Sequence, residues 1–400
     1  MYGPLNNKTV ILGITGGIAA YKVAGYIRPI KDLGCDVIPV MTQGAMHFIT
    51  PLTVSALSGN KVKSCLLAEQ DHEITHINLA RKADLILIAP ATANFIANAA
   101  MGMAPDLLSA ILLATTAPVL ICPAMNPSMY KHPSTQHNIE LLKKWGYHII
   151  EPMSGSTACG EAGAGRLAEW DTVKEALLKT VTPQDLAGKK VLITAGPTRE
   201  PIDPIRYISN RSSGKMGIAM ARIAKRRGAD VHLVTGPVSV PLPDGVSIYR
   251  IETAKDMLDT VLNILDDVDI IIMTAAVADF TPEHTSSSKI KKQAITGNKT
   301  LSLTKTGDIL VEISKRKKTS QLIIGFCAET KKLEEYALEK LERKSLDLIV
   351  ANNITRPGSG FDVDTNEVLL IDKDKNKESI PLSPKIQVAE KIWDKITTLL

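Results

Sequence analysis

KTVILGITGGIAAYK, residues 8–22, reads as a strand, a glycine turn and the start of a helix. Val10, Ile11, Leu12 and Ile14 form an apolar run without polar alternation, as in a strand covered on both faces. Gly16 and Gly17 let the chain turn tightly, with helix N-terminal amides behind them able to meet a phosphate. They do not complete the Gly-x-Gly-x-x-Gly dinucleotide pattern, and a plain tight turn also needs glycine.

The same cadence recurs along the chain. CDVIPVM (35–41), ADLILIAP (83–90), APVLICPAM (117–125) and YHIIEP (147–152) are the further strand signals of the first half. KKVLITAG (189–196), ADVHLVTG (229–236), VDIIIMTAA (268–276), QLIIGFCAE (321–329) and LDLIVANN (346–353) are those of the second. Helical stretches alternate with them, so the expected class is α/β, with parallel sheets covered on both faces. TVTPQDLAGKK, 180–190, follows the helical DTVKEALLKT and reads as a connection. The expected organisation is a domain over 1–182, a linker over 183–188 and a second, unlike domain over 189–400. A chain of 400 residues is long for a single core, which also argues for two domains.

Hydrophobic residues make up 44% and charged residues 22%, a balance typical of soluble globular proteins. Pro and Asn interrupt the apolar runs before membrane-spanning length, and the N-terminus lacks the basic stretch and apolar core of a secretory signal. A cytoplasmic protein without a membrane partner is expected. The net charge of +5, without a long basic block, suits small anionic substrates better than nucleic acid. Cys35, Cys65, Cys122, Cys159 and Cys327 are odd in number, widely spaced and free of Cys-x-x-Cys, so reduced thiols are expected.

HEITH, 72–76, matches a zinc-protease pattern. It runs at once into NLARKADLILIAP, a helix end feeding a buried strand, and no third ligand follows. No zinc is therefore expected at His72 and His76, and His72 reads as a surface residue. APATANFIANAAMGMAPDLLS, 89–109, is rich in small residues that let backbone approach a planar ligand. PAMNPSM, 123–129, follows a strand end, where open α/β sheets bind ligands. Its Asn126 suits a carboxylate or carbonyl, and equally a helix N-cap. In ACGEAGAGR, 158–166, the glycines around Cys159 point to an accessible thiol on a flap.

These motifs carry a resemblance. THINLAR with His76, PAMNPSM with Asn126 and ACGEAGAGR with Cys159 resemble, in order, the FMN-dependent phosphopantothenoylcysteine decarboxylases of the homo-oligomeric flavin-containing Cys decarboxylases. The resemblance implies a flavodoxin-like domain with a parallel sheet, bound FMN and a trimer-based assembly with flavin sites between subunits. It implies that His76 acts as acid or base, that Asn126 grips the substrate carboxylate and that Cys159 donates a proton. The implied chemistry oxidises the substrate's thiol carbon to a thioaldehyde, which is the electron sink for loss of CO2; reduction of the resulting enethiolate then needs a proton. A thiol near its ordinary pKa of about 8.5 is largely protonated at neutral pH and can supply it. Gly16, Gly17, Ala91, Thr92 and Asn94 are the expected FMN contacts.

In the second half, SNRSSGKMG, 209–217, looks like a phosphate loop, but Ser209 and Met216 stand where a P-loop needs Gly and Ser or Thr. The whole connection PTREPIDPIRYISNRSSGKMG is longer than a plain α/β turn requires, which favours binding, with Ser212, Ser213 and Gly214 as an anion seat. EHTSSSKIKKQAITGNK, 283–299, is polar and basic and is expected to be a mobile functional loop.

ITAGPTREPIDPIRYISNRSSGKMG, MTAAVADF, KIKK, TGDIL, GFCAET and LDLIVANN together resemble the phosphopantothenate–cysteine ligases, over roughly residues 189–400. The resemblance implies a Rossmann-like α/β ligase domain, dimeric, in which the substrate carboxylate attacks the α-phosphate of CTP. Acyl-CMP and pyrophosphate form, and the amine of cysteine displaces CMP. Met273, Thr274, Ala275, Gly307, Asp308, Ile309, Leu310 and Phe326 would frame the base, and Asp279 the ribose. Lys289 would close over the phosphates, and Lys340 and Lys344, one turn apart on a helix, would contact CTP. Asn210 would handle the acyl-cytidylate, with Asp203 and Arg206 at the substrate site. Mg2+ is expected through the CTP phosphates. Both resemblances together imply a coenzyme A biosynthesis enzyme acting on 4'-phosphopantothenate, cysteine and CTP, as a homo-oligomer of up to twelve chains. The alternative is a non-catalytic flavin-binding regulator of the same fold, against which His76, Asn126, Cys159 and Lys289 all weigh. A nicotinamide dehydrogenase is disfavoured by the missing dinucleotide fingerprint.

Overall fold

The computed structural model describes residues 5–66, 75–156, 160–291, 300–329, 331–353, 355–356, 358–360 and 362–400. The opening run folds as β1 (Thr9–Ile14). Val10, Leu12 and Ile14 enter one hydrophobic core and Ile11 enters another, so the strand is buried from both sides. Such two-sided burial is why its sequence shows no alternation. β2 (Asp36–Met41), β3 (Leu85–Ala91), β4 (Val119–Pro123) and the two-residue β5 (His148–Ile149) join it in parallel, in the order β2-β1-β3-β4-β5. This is the flavodoxin-like order, in which the connections reverse direction between β1 and β3. β6 (Met153–Ser156) and β7 (Ala162–Arg166) form a separate antiparallel hairpin. These elements belong to a first unit, Met1–Thr182.

The second unit, Pro183–Leu400, is built on β8 (Lys190–Ala195), the short β9 (Arg199–Pro201) and β10 (Tyr207–Ser209), β11 (Asp230–Thr235) and β12 (Ser247–Arg250). There follow β13 (Ile270–Met273), the short β14 (Phe280–Pro282) and β15 (Leu303–Lys305), β16 (Leu322–Glu329) and β17 (Leu348–Asn353), then β18 (Thr365–Asp372) and β19 (Lys377–Pro384). The main sheet runs β12-β11-β8-β13-β16-β17-β18-β19. Its first six strands are parallel and follow the Rossmann order, with the switch between β8 and β13; β18 and β19 add antiparallel strands at one edge. β9–β10 and β14–β15 are two-stranded ribbons outside it.

Residues 183–188, read above as the linker, fold with this unit. Leu186 is fully buried in its core, and Asp185 accepts from Arg227 Nε at 2.8 Å. The polar sequence of the stretch hides one anchoring leucine and one ion pair. Among the described residues no helix is long and apolar enough to cross a membrane.

Two candidate active sites

In the first unit, Thr15 follows β1 directly. Its hydroxyl donates to the Pro90 carbonyl at 2.7 Å and accepts from the Thr92 amide at 3.0 Å, fastening together the turns beyond β1 and β3. At this switch point opens a cavity of about 600 Å³, lined among others by Gly16, Gly17, Lys22, Thr92, Asn126 and Arg166. Gly16 touches the next turn: a β-carbon there would lie 2.8 Å from the Gly44 carbonyl carbon. Thr92 caps the helix Ala93–Ala100, and Asn126 caps Pro127–Lys131, its Oδ1 accepting from the Ser128 amide at 2.8 Å. The hairpin β6–β7 leans on that turn. The Met125 amide donates to the Gly165 carbonyl at 2.9 Å, and a β-carbon on Gly165 would stand 2.3 Å from the Met125 oxygen.

Four of the expected residues, Gly16, Gly17, Thr92 and Asn126, thus meet in one cavity. Ala91 and Asn94 do not line it. Ala91 ends β3 with its side chain in the core and its carbonyl taken by the Ala124 amide, whereas Asn94 lies exposed on the following helix. His76 also stands apart from the cavity lining, on the helix Thr75–Lys82, which packs against Leu107–Ala114. Its Nδ1 is buried without a hydrogen-bond partner among the described residues. His72 and Cys159 lie outside the described residues.

The second unit repeats the device. Thr194 on β8 accepts the amides of Thr274 and Ala275 through its hydroxyl, both at 3.2 Å, while the Thr274 hydroxyl donates to the Thr194 carbonyl at 2.5 Å. Beside this clasp lies a cavity of about 570 Å³ that reaches Asn210, the Ser212–Lys215 turn and Thr274. A second cavity of about 440 Å³ reaches Met273, Gly307, Asp308, Ile309, Leu310 and Lys344. Ala275, Val277, Asp279, Phe326 and Lys340 line both, so the two form one groove. Lys340 donates to the Phe326 carbonyl at 2.8 Å, and burial holds its ammonium below the usual lysine range. Lys344 is buried and ion-paired with Asp308, which caps the helix Ile309–Arg316. Asn210 donates from Nδ2 to the Val277 carbonyl at 2.8 Å.

The Ser212–Lys215 turn resolves its own sequence puzzle. Gly214 has φ +74° and starts the helix Lys215–Arg226, a conformation that favours glycine. Lys215 does not take the P-loop lysine's place: its Nζ donates to the Asp362 carbonyl at 2.8 Å and to Asp364 Oδ1 at 2.7 Å. Asp203 and Arg206 also differ from expectation. Buried Asp203 pairs with Arg206 and accepts from the amides of Ile205, Arg206 and Ile290, while Arg206 donates to the Ile290 carbonyl. The pair anchors the segment that carries Lys289 at Ile290, the residue next to that lysine, and neither residue lines the two cavities. Lys289 is exposed and outside their lining; residues 292–299 of the same segment lie outside the described residues. Buried Cys327 lines the larger cavity, its thiol pushed up to about 11 by burial. Among the described residues no group of three or more His, Cys, Asp or Glu side chains is placed to hold a metal ion.

Sequence reading missed Thr15, Thr194, Lys22 and Arg166. For the two threonines a signal existed, a lone Thr at or just beyond the C-terminal end of the first strand of each unit. For the two cations there was none, because only the fold shows which basic side chains face a cavity.

The fold and cavities define a two-site α/β protein, flavodoxin-like in its first unit and Rossmann-like in its second. Residues 2–182 match the family model described as Flavoprotein, and residues 186–400 match DNA/pantothenate metabolism flavoprotein C-terminal domain. The chain is 46% identical over 400 residues to the coenzyme A biosynthesis bifunctional protein CoaBC of Bacillus subtilis (strain 168), covering 99% of this chain and 98% of the relative. To the protein of that name from Escherichia coli (strain K12) it is 45% identical over 397 residues, with 98% of each covered. A crystal structure of the C-terminal domain of coenzyme A biosynthesis bifunctional protein CoaBC is 40% identical, spans 54% of this chain and 97% of its own, and has a TM-score of 0.47. The chain belongs to the family of the coenzyme A biosynthesis bifunctional proteins.

Proposed function

We propose that the chain is a bifunctional enzyme. Its second unit joins cysteine to 4'-phosphopantothenate using CTP, and its first decarboxylates the product to 4'-phosphopantetheine. The observation that carries this reading is the single groove in which Asn210, Thr274, Asp279, Phe326, Lys340 and Lys344 meet, although they are scattered over the sequence. Asp279 would hold the ribose, Phe326 and Lys344 the base end, and Asn210 the acyl-cytidylate. Lys289 would close on the phosphates, with Mg2+ carried by CTP.

The first cavity suits FMN. It lies at the switch point, one wall is glycine backbone that no side chain could replace at Gly16, and Met125, Met129 and Leu167 give it an apolar side. Gly16, Gly17 and Lys22, at the start of the helix Ala20–Asp32, would hold the phosphate. When bound, FMN supplies the two-electron oxidation at the substrate's thiol carbon that gives decarboxylation an electron sink. Asn126 would present Nδ2 to the substrate carboxylate, since Oδ1 is committed to Ser128. Cys159, between β6 and β7, would donate the proton for the final reduction. His76 would come from a second copy of the chain, because it stands outside the cavity of its own. Ile18, Tyr21 and Met129 on the cavity's lining are exposed apolar side chains, which supports an assembly that covers them.

The test uses the purified full chain. It should carry releasable FMN and consume CTP only when 4'-phosphopantothenate and cysteine are both present. Lys289→Gln should lose that consumption yet still release CO2 from supplied 4'-phosphopantothenoylcysteine. An unchanged ligase rate would remove Lys289 from the site, and CTP use without either co-substrate would contradict the reading itself.

A further inference from the structure

Among the described residues, Lys22 and Arg166 are the only charged side chains that line the first cavity. Neither has a hydrogen bond or ion pair among the described residues. For Arg166 this is costly: a half-buried guanidinium with five N–H donors facing a cavity calls for an anion. We propose that Arg166 binds the phosphate of the decarboxylase substrate, a phosphomonoester, and thereby couples substrate capture to the seating of the β6–β7 hairpin. The proposal rests on the decarboxylase reading above.

Three anionic groups must share the cavity: the cofactor phosphate, the substrate carboxylate and the substrate phosphate. Lys22 stands in the first turn of the helix behind Gly16 and Gly17, where a cofactor phosphate also meets helix amides. Arg166 belongs to a different element, β7, next to the Gly165 carbonyl that holds Met125. A guanidinium on the reacting carboxylate would stabilise the ground-state ion and oppose its conversion to neutral CO2. On a phosphate remote from the reacting carbon, the same attraction adds binding without that penalty. The hairpin is shaped for the arm: a β-carbon on Gly155, across the ribbon, would lie 2.7 Å from Arg166 Nη1. An anion held by Arg166 therefore pulls on the strand that packs against the Asn126 turn.

The experiment compares decarboxylation of 4'-phosphopantothenoylcysteine and of pantothenoylcysteine, which lacks the phosphate, by the full-length holoprotein. Wild type should prefer the phosphorylated substrate. Arg166→Gln should raise its KM roughly 10- to 100-fold with little change in kcat, as expected for a lost charge-assisted contact. The same variant should treat pantothenoylcysteine as wild type does, keep its flavin content, and be partly rescued as Arg166→Lys. Equal losses with both substrates would overturn the proposal, as would a wild type indifferent to the phosphate. Loss of flavin with substrate preference intact would overturn it too and give Arg166 to the cofactor. A wild type that decarboxylates neither compound would instead sink the underlying functional reading.

Discussion

At Asn126 one amide serves two neighbours, its Oδ1 capping a helix and its remaining face turned to the cavity. The roles separate by substitution. Asn126→Asp keeps a good N-cap but places a negative charge where a carboxylate should bind. We expect it to melt near wild type and to lose decarboxylation by about 100-fold or more. Asn126→Ala should lose activity and, in addition, about 1 kcal/mol of stability. Thermal unfolding and CO2 release measure the two effects, and an active Asp variant would leave Asn126 a cap only. Asp203 shows a different residue-scale effect. Its carboxyl is held well below the usual range, first by Arg206 and then by backbone amides, against the opposing effect of burial. A depressed pKa stabilises the fold fully above the unfolded value of about 3.9 and loses that contribution as pH falls further. The melting temperature of wild type should therefore drop more steeply below about pH 4 than that of Asp203→Asn. Parallel slopes for the two, measured by circular dichroism from pH 7 to pH 3, would show that the pair does not matter.

Among the elements, the threonine clasps tie chemistry to fold. Thr194→Val removes the acceptor for two amides and should cost about 1–3 kcal/mol. Because those amides belong to Thr274 and Ala275, the KM for CTP should rise while decarboxylation stays unchanged, and Thr194→Ser should restore both. A Val variant with wild-type CTP kinetics would reduce the clasp to a packing detail. The long strands were legible because β1, β3, β8 and β13 are mostly apolar runs without polar alternation, buried on both faces. β9, β10, β14 and β15 were not: three-residue ribbons of Arg, Pro, Tyr and Thr carry too few positions for a period to show. The groove of the second unit was legible only through the resemblance its motifs carry: MTAAVADF, TGDIL and GFCAET supply Met273, Thr274, Ala275, Asp279, Gly307 and Phe326, all on its lining. Ala91 was misread because it too ends a strand, and composition does not say which face its methyl takes. Arg166 and Lys22 were invisible as a pair, because only the fold brings residue 22 and residue 166 to one cavity.

For the whole molecule, the two units carry separate cores, so damage in one need not reach the other. The placement of His76 outside the cavity that holds Asn126 has a further result at this level. If neighbouring chains complete each other's decarboxylase sites, no chain is sufficient alone, and defects can be shared out. His76→Ala and Asn126→Asp, each inactive by itself, should regain activity when unfolded and refolded together or co-expressed. At equal amounts, random mixing pairs an intact His76 with an intact Asn126 at about one junction in four, so recovery should approach a quarter of wild type. Simple mixing of preassembled variants should recover less, to the extent that chains do not exchange. Persistent inactivity after co-assembly would mean that each chain brings its own histidine to its own asparagine. A working mixture would make this enzyme one in which catalytic competence is inherited by the assembly and by none of its members.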